Sequence, residues 1–337
     1  MKTKFQTEVD IPPFKWKTGY QKRSIFMGSC FTENIGGRME ELKFPVDINP
    51  FGILYNPVSV AKGLKLLIDK NLFTKTNLIK HHGLWHSFYH HSRFSSPDPE
   101  KTLDLINKRI NNSSENILKA DFLFVTFGTS WVYEYTATNQ IISNCHKIPE
   151  KEFRRFRLNT DEIVKLYKEL MQQLWSKNPE IKIVFTVSPI RHWKDGAIEN
   201  QKSKATLILA IDQLISDYKD ERCSYFPAYE IVMDELRDYR FYADDMIHLS
   251  AVAVNHIWDL FRKYLIDEKS NKISTEVQQI INSVKHKPKN ILTAEHMNFL
   301  KKSLRKTIEL QTKNAYLNLD NEIKYFSGKI NDIEKNK

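Results

Sequence analysis

The chain has 337 residues, 41% of them hydrophobic and 12% aromatic, with a formal net charge of +10. That is long and apolar enough for one large α/β domain with a helical appendix, and it excludes a disordered chain. Seven of the ten net charges fall in residues 269–337, which hold 14 Lys+Arg against 7 Asp+Glu, so the body is nearly balanced and the excess reads as a solvated tail, not a nucleic-acid surface.

Candidate strands run over Ser24–Met27, Pro45–Ile48, Phe122–Thr126, Ile183–Val187 and Ser224–Phe226. Helical patterns lie between them, which predicts a parallel sheet covered on both faces. After the first strand, Ile35, Met39 and Leu42 recur at helical spacing. Ile163, Leu166, Leu170 and Leu174 form a stripe behind a Thr160 cap, and Leu207, Ile211, Leu214 and Tyr218 form another. Ser250 caps a helix through about Leu265. Asp267–Asn271 is polar, Pro288 marks a break, and a long helix starts near Thr293 with Met297, Leu300, Leu304 and Ile308 on one face. No run of 18 apolar residues predicts a membrane span, and Met1–Asp10 lacks the apolar centre of a secretory signal. A cytoplasmic protein is expected.

Chemistry concentrates at four places. Ile25–Asn34 reads as a strand ending at Gly28, followed by Ser29 and Cys30 at the start of a helix. A nucleophile there sits at the carboxyl edge of the sheet, beside free N–H groups and a positive dipole end. Asp245 and His248 are three residues apart, so a tight turn lets the carboxylate orient the imidazole while its other nitrogen takes a proton. Asp121–Trp131 is a buried strand running into Gly128 and Ser130, and Val46–Gly52 is another leading to Gly52; both turns offer oxyanion donors. Of the three cysteines, Cys145 and Cys223 read as small packing residues, without disulfide or metal spacing.

Gly28-Ser29-Cys30-Phe31-Thr32 resembles the motif of the GSCFA family, with Thr32 where the family name has alanine. That family is similar to the SGNH/GDSL hydrolases, whose Gly-Asp-Ser turn, oxyanion glycine, Gly-x-Asn turn and Asp-x-x-His follow in that order. Gly28, Gly52, Gly128–Ser130 and Asp245/His248 occur here in the same order, over roughly residues 20–265. An ungapped frame puts Cys30 at the nucleophile position, where a helix N-terminus and a neighbouring histidine lower a thiol's pKa. A one-residue slip makes Ser29 the nucleophile instead. Ser130 stands where the Gly-x-Asn turn supplies an amide, which puts fast hydrolysis in doubt.

His81–His91 holds five of the eleven histidines. His82, His86 and His90 share a face if the segment is helical, the spacing of a metal site. Gly83 and the aromatic residues argue for a pocket wall instead, with Trp85, His90 and His91 toward substrate. Arg191 and His192 follow the fourth strand, where either is placed to bind an anionic group; a Pro-bounded loop with a solvated arginine is the alternative.

The resemblance implies a flavodoxin-like three-layer α/β sandwich, assigned to residues 1–268, and the residue pattern beyond it predicts a helical basic extension over 269–337. It implies an SGNH-like esterase acting on a small-molecule or carbohydrate ester through an acyl-enzyme. No cofactor, metal or membrane is called for, and the C-terminal helices offer a homo-oligomer surface. The rivals are an O-acyltransferase of glycan assembly, a non-catalytic carbohydrate-binding module and a metal-dependent hydrolase.

Overall fold

The computed structural model describes residues 7–218 and 222–335. In chain order the strands are β1 (Ser24–Gly28), β2 (Val46–Ile48), β3 (Ile79–His81), β4 (Leu84–His86), β5 (Phe122–Phe127), β6 (Trp131–Tyr135), β7 (Gln140–Ile142), β8 (Phe153–Arg157), β9 (Lys182–Val187) and β10 (Cys223–Tyr225). The helices are α1 (Cys30–Glu41), α2 (Pro57–Ile68), α3 (Pro99–Ile117), α4 (Thr160–Lys177), α5 (Gly196–Asp217), the short α6 (Ala228–Glu230), α7 (Ala251–Leu265), α8 (Glu268–Lys285), α9 (Ala294–Lys313) and α10 (Asp320–Lys335).

Five strands form the central sheet in the order β10-β9-β5-β1-β2, every pair parallel. Counting only these five, the order from the β2 edge is 2-1-3-4-5. Strand order reverses between β1 and β5, so the crevice of a doubly wound sheet opens beyond their carboxyl ends. The near-continuous apolar runs follow from burial on both faces. Ile25, Met27, Leu123, Val125, Phe127, Ile183 and Phe185 share one core with α2, α3, α4 and α5. Phe26, Phe122, Phe124 and Val184 point the other way, into a core with α1, α7 and the C-terminal helices. Phe26 stacks on Phe124 with ring centroids 4.4 Å apart. Full burial of such a side chain is worth about 1.5–3 kcal/mol.

Three expectations change. Asn159, not Thr160, caps α4: its side chain accepts from the Glu162 N–H, and Glu162 reciprocates on the Asn159 N–H. The first part of the histidine-rich segment closes the β3–β4 hairpin, turning at His82 and Gly83 with φ of 46° and 77°, and His90 and His91 lie in the loop beyond it. No helix face therefore gathers His82, His86 and His90. The polar stretch after α7 opens a helix of its own, α8, whose N–H of Ser270 donates to the capping carboxylate of Asp267. Two antiparallel units, β3–β4 and β7-β6-β8, are inserted before and after β5.

The helical C-terminal extension docks on the body. Ile273, Val277, Leu300, Leu319 and Phe326 join the same apolar cluster as Phe26 and Phe261. Lys43 pairs with Glu322 at 2.8 Å, and the Tyr20 N–H donates to Ser270 Oγ. No described helix is long and apolar enough to cross a membrane.

Candidate active site

The crevice is built at Gly28. Its φ is +145°, and a Cβ there would fall 2.1 Å from the Thr126 carbonyl oxygen. Only glycine lets β1 lie this close to β5 as the chain turns. The Gly28 N–H donates to Asn49 Oδ1 and its carbonyl accepts from the Leu54 N–H, so the loop after β2 is sewn to the same point. Ser29 then caps α1 in extended conformation, and Cys30 is the first helical residue.

Ser29 is 1% exposed, and its Oγ is buried with no hydrogen-bond partner among the described residues. Cys30 is partly exposed. Both line one cleft of about 470 Å³ together with Tyr55, Thr129, Ser188 and His248. Burial raises the Cys30 thiol pKa, against which the Cys30 and Phe31 N–H groups and Lys204 act more weakly. The expected depression of this thiol is therefore corrected: desolvation outweighs the helix N-terminus.

Asp245 and His248 form the tight turn that their spacing implied. His248 Nδ1 donates to Asp245 Oδ2 at 2.6 Å, while Asp245 Oδ1 accepts the N–H groups of Ile247 and His248. These bonds hold the Asp245 carboxyl down at about 2. The carboxylate fixes the ring and tautomer through Nδ1, so Nε2 is the nitrogen outside this bond. Arg191 braces this turn. Its guanidinium donates to the Met246 carbonyl and lies over the rings of Tyr242 and Trp193, 4.6 and 4.8 Å from their centroids. It lines the cleft but is engaged in holding the His248 turn. His192 also lines the cleft; burial holds its imidazole down at about 4, so it is neutral near pH 7.

The expected oxyanion donors are spent inside the fold. The Gly52 N–H donates to the Asn49 carbonyl and the Gly128 N–H to the Tyr55 carbonyl. Ser130 is fully buried, and its N–H and Oγ both donate to Ser203 Oγ, at 2.8 and 3.0 Å. Thr129 faces the cleft in its place. Gly52 is needed sterically: at φ +81° a Cβ would fall 2.2 Å from His91 Cβ. The N–H groups near Cys30 Sγ are those of Cys30 and Phe31.

Of the three histidine-segment residues, His91 lines the cleft. Trp85 lies off it, with Lys75 and Lys80 over its ring. His90 is packed among Phe51, Phe73 and Phe94, its Nδ1 on Ser87 Oγ at 2.9 Å, and burial pushes its pKa down to about 3. Its role there is core packing. Among the described residues no three His, Cys, Asp or Glu side chains converge as a metal site.

Residues 23–261 match the GSCFA family, and residues 277–332 match the C-terminal domain of GSCFA domain proteins. The chain belongs to the GSCFA family. No curated protein matches. Among solved structures it is similar to an acetyl xylan esterase from the rumen bacterium Butyrivibrio proteoclasticus, at 11% identity and a TM-score of 0.35. That match covers 76% of this chain and 66% of the esterase, short of two thirds of the latter's length.

Sequence reading missed several GSCFA-chain site residues. Trp131, Tyr133, Cys145 and Arg155 of the β6–β8 insertion form one wall. Arg155 makes a two-pronged ion pair with Asp195 and stacks over Trp131, 4.4 Å from its centroid. The Trp131–Tyr135 and Phe153–Arg157 stretches are short and of mixed exposure, and give only a weak strand signal for this wall. On the far side, Asn200, Ser203 and Lys204 of α5 anchor the loops: Asn200 Oδ1 accepts the His192 N–H, and Ser203 holds Ser130. These polar residues extend the buried face of the Leu207–Leu214 stripe toward the helix N-terminus, where periodicity gives no sign that they are buried.

Proposed function

We propose that this GSCFA chain is an SGNH-like acyl-transfer enzyme that hydrolyses an ester of a small molecule or carbohydrate through an acyl-enzyme on Cys30. The observation that carries this reading is that Ser29, Cys30 and His248 line one cleft while Asp245 binds His248 Nδ1 at 2.6 Å. In the proposed reaction His248 Nε2 takes the thiol proton as Cys30 Sγ attacks the ester carbonyl. The resulting oxyanion takes hydrogen bonds from the N–H groups of Cys30 and Phe31 at the N-terminus of α1. Protonated His248 then donates to the departing alkoxide, and a water activated by the same nitrogen releases the acid.

Cys30 is preferred to Ser29 because it is the more exposed of the two and lies beside those N–H groups. An orphaned Ser29 hydroxyl keeps the serine reading alive as a second version of the same chemistry. The catalytic unit under this proposal is residues 1–268 and the extension is 269–337, with the extension bracing α1 through Lys285 and Glu41.

The test is hydrolysis of a short-chain aryl acetate by wild type, Ser29→Ala, Cys30→Ala and His248→Ala. Loss in Cys30→Ala and His248→Ala supports the reading, and loss in Ser29→Ala alone among the nucleophile variants moves the nucleophile by one residue. Undiminished hydrolysis in all three variants overturns it.

A further inference from the structure

Lys204 has no exposed surface. Its ammonium donates to the carbonyls of Gly128, Ser188 and Ile190 at 2.7, 2.6 and 3.0 Å. A charged lysine has three N–H bonds and no acceptor, so donors and acceptors match one for one. A neutral amine would turn its lone pair toward one of the three carbonyls. These carbonyls close β5 and β9, the two strands whose ends wall the Ser29–Cys30 turn. The approach is close: a Cβ on Gly128 would meet Ser29 Cβ at 3.4 Å and His192 Nε2 at 3.1 Å.

Burying an ammonium is unfavourable, and apolar residues of similar volume commonly serve a core as well or better. The position of the charge is therefore the informative feature. The Tyr229 ring of α6 has its centroid 5.7 Å from Nζ. The charge of Lys204 acts on Cys30 of α1 and on His192 of the loop after β9, while Glu33 opposes it at the thiol and Tyr55 lies within the thiol's own reach. Cys30 and Lys204 shift one another in the sense of an ion pair, each favouring the other's charged form.

We propose that Lys204 is a positioning residue of the site: its ammonium locks the ends of β5 and β9 together, and its charge favours negative charge on Cys30 Sγ. The catalytic importance of that charge rests on the proposed nucleophile, but the coupling itself does not. Burial pushes Lys204 down to about 7. It is charged on the acid side of that value and neutral on the alkaline side, so its help to a thiolate is greatest at low pH and fades through neutrality.

The experiment is alkylation of Cys30 by iodoacetamide in the full-length protein between about pH 5.5 and 9, read by mass spectrometry of the Cys30 peptide, in wild type and Lys204→Met. A rise of about one unit in the thiol pKa makes the Met variant about tenfold slower at the acid end, and the gap narrows as pH passes 7. Equal rates, or a gap that does not change with pH, overturn the proposal. Should the Met variant not fold, the chain with Lys204 intact is informative. Read in His248→Ala, which removes the neighbouring imidazole, a thiol coupled to a titrating lysine gives a log-rate profile that still bends near neutrality; a single unbroken slope overturns the coupling. Because alkylation needs no ester turnover, absent hydrolysis with intact coupling removes only the esterase reading. Intact hydrolysis with no coupling removes only the role of Lys204.

Discussion

On the nucleophile side of the cleft, Ser29, Ser130, Ser188 and Lys204 have almost no exposed surface, and α5 anchors the turns through Asn200, Ser203 and Lys204. On the base side, the Asp245 and His248 side chains keep 49% and 56% of their surface in water. Apart from the unpartnered Ser29 hydroxyl, the first wall is held by mutually satisfied buried polar groups. The second is a short surface turn held by one carboxylate and one guanidinium. Among the bonded groups of the first wall position and stability are inseparable, because each satisfies another that is cut off from water. The second wall can lose its chemistry and leave the fold untouched.

The largest expected effect breaks the exposed side. His248→Ala lowers aryl-ester turnover by about 10²–10⁴, the usual contribution of a general base. Its denaturant midpoint stays with wild type, since surface changes cost within about 0.5 kcal/mol. A matching fall in stability would contradict the contrast. On the buried side, Ser203→Ala removes the partner of the Ser130 N–H and hydroxyl and of Thr129 Oγ1. The stranded groups cost on the order of 2 kcal/mol of unfolding free energy, measured by urea titration.

A third test uses pH. Burial holds His90 at about 3 and His146 and His192 at about 4 in the folded protein. The unfolded chain therefore binds more protons than the native one below about 6.5, the ordinary histidine value. The stability these neutral rings contribute is fully present above about pH 6.5 and is lost as pH falls toward 4 and below. Thermal melts should drop across that window, and His90→Phe should flatten the drop. Asp245 titrates lower still, at about 2, so it stays ionised throughout and adds no acid limb above pH 4. The smallest effect sharpens the comparison within the exposed side. Arg191→Gln frees the Met246 carbonyl and loosens the His248 turn, lowering turnover by about tenfold, roughly one charge-assisted hydrogen bond, with the melting temperature little changed.

Much of this architecture is written in local pattern. β1, β5 and β9 are continuous apolar runs, and the structure finds them within a residue of where composition puts them. The Asp245–His248 turn is equally local, since three residues of spacing suffice to define it. What escaped was either edge structure or long-range polar pairing. The β3–β4 hairpin and the β6–β8 unit use short strands with mixed exposure, whose pattern is weak. The α5 anchors are invisible to periodicity because Lys204 reaches carbonyls 14 to 76 residues away. The oxyanion glycines misled for a related reason. A glycine at a turn shows that the backbone bends there; whether its N–H is free depends on partners such as the Tyr55 carbonyl, which no local pattern reveals.

The account turns on where an acyl group lands. Incubation with an aryl acetate, acid quenching at short times and peptide mass mapping of the full-length protein reads this directly. An acetyl adduct on Cys30, faint or missing in His248→Ala, is the predicted result. An unmodified Cys30 and Ser29 in a protein that still turns over the ester would contradict it.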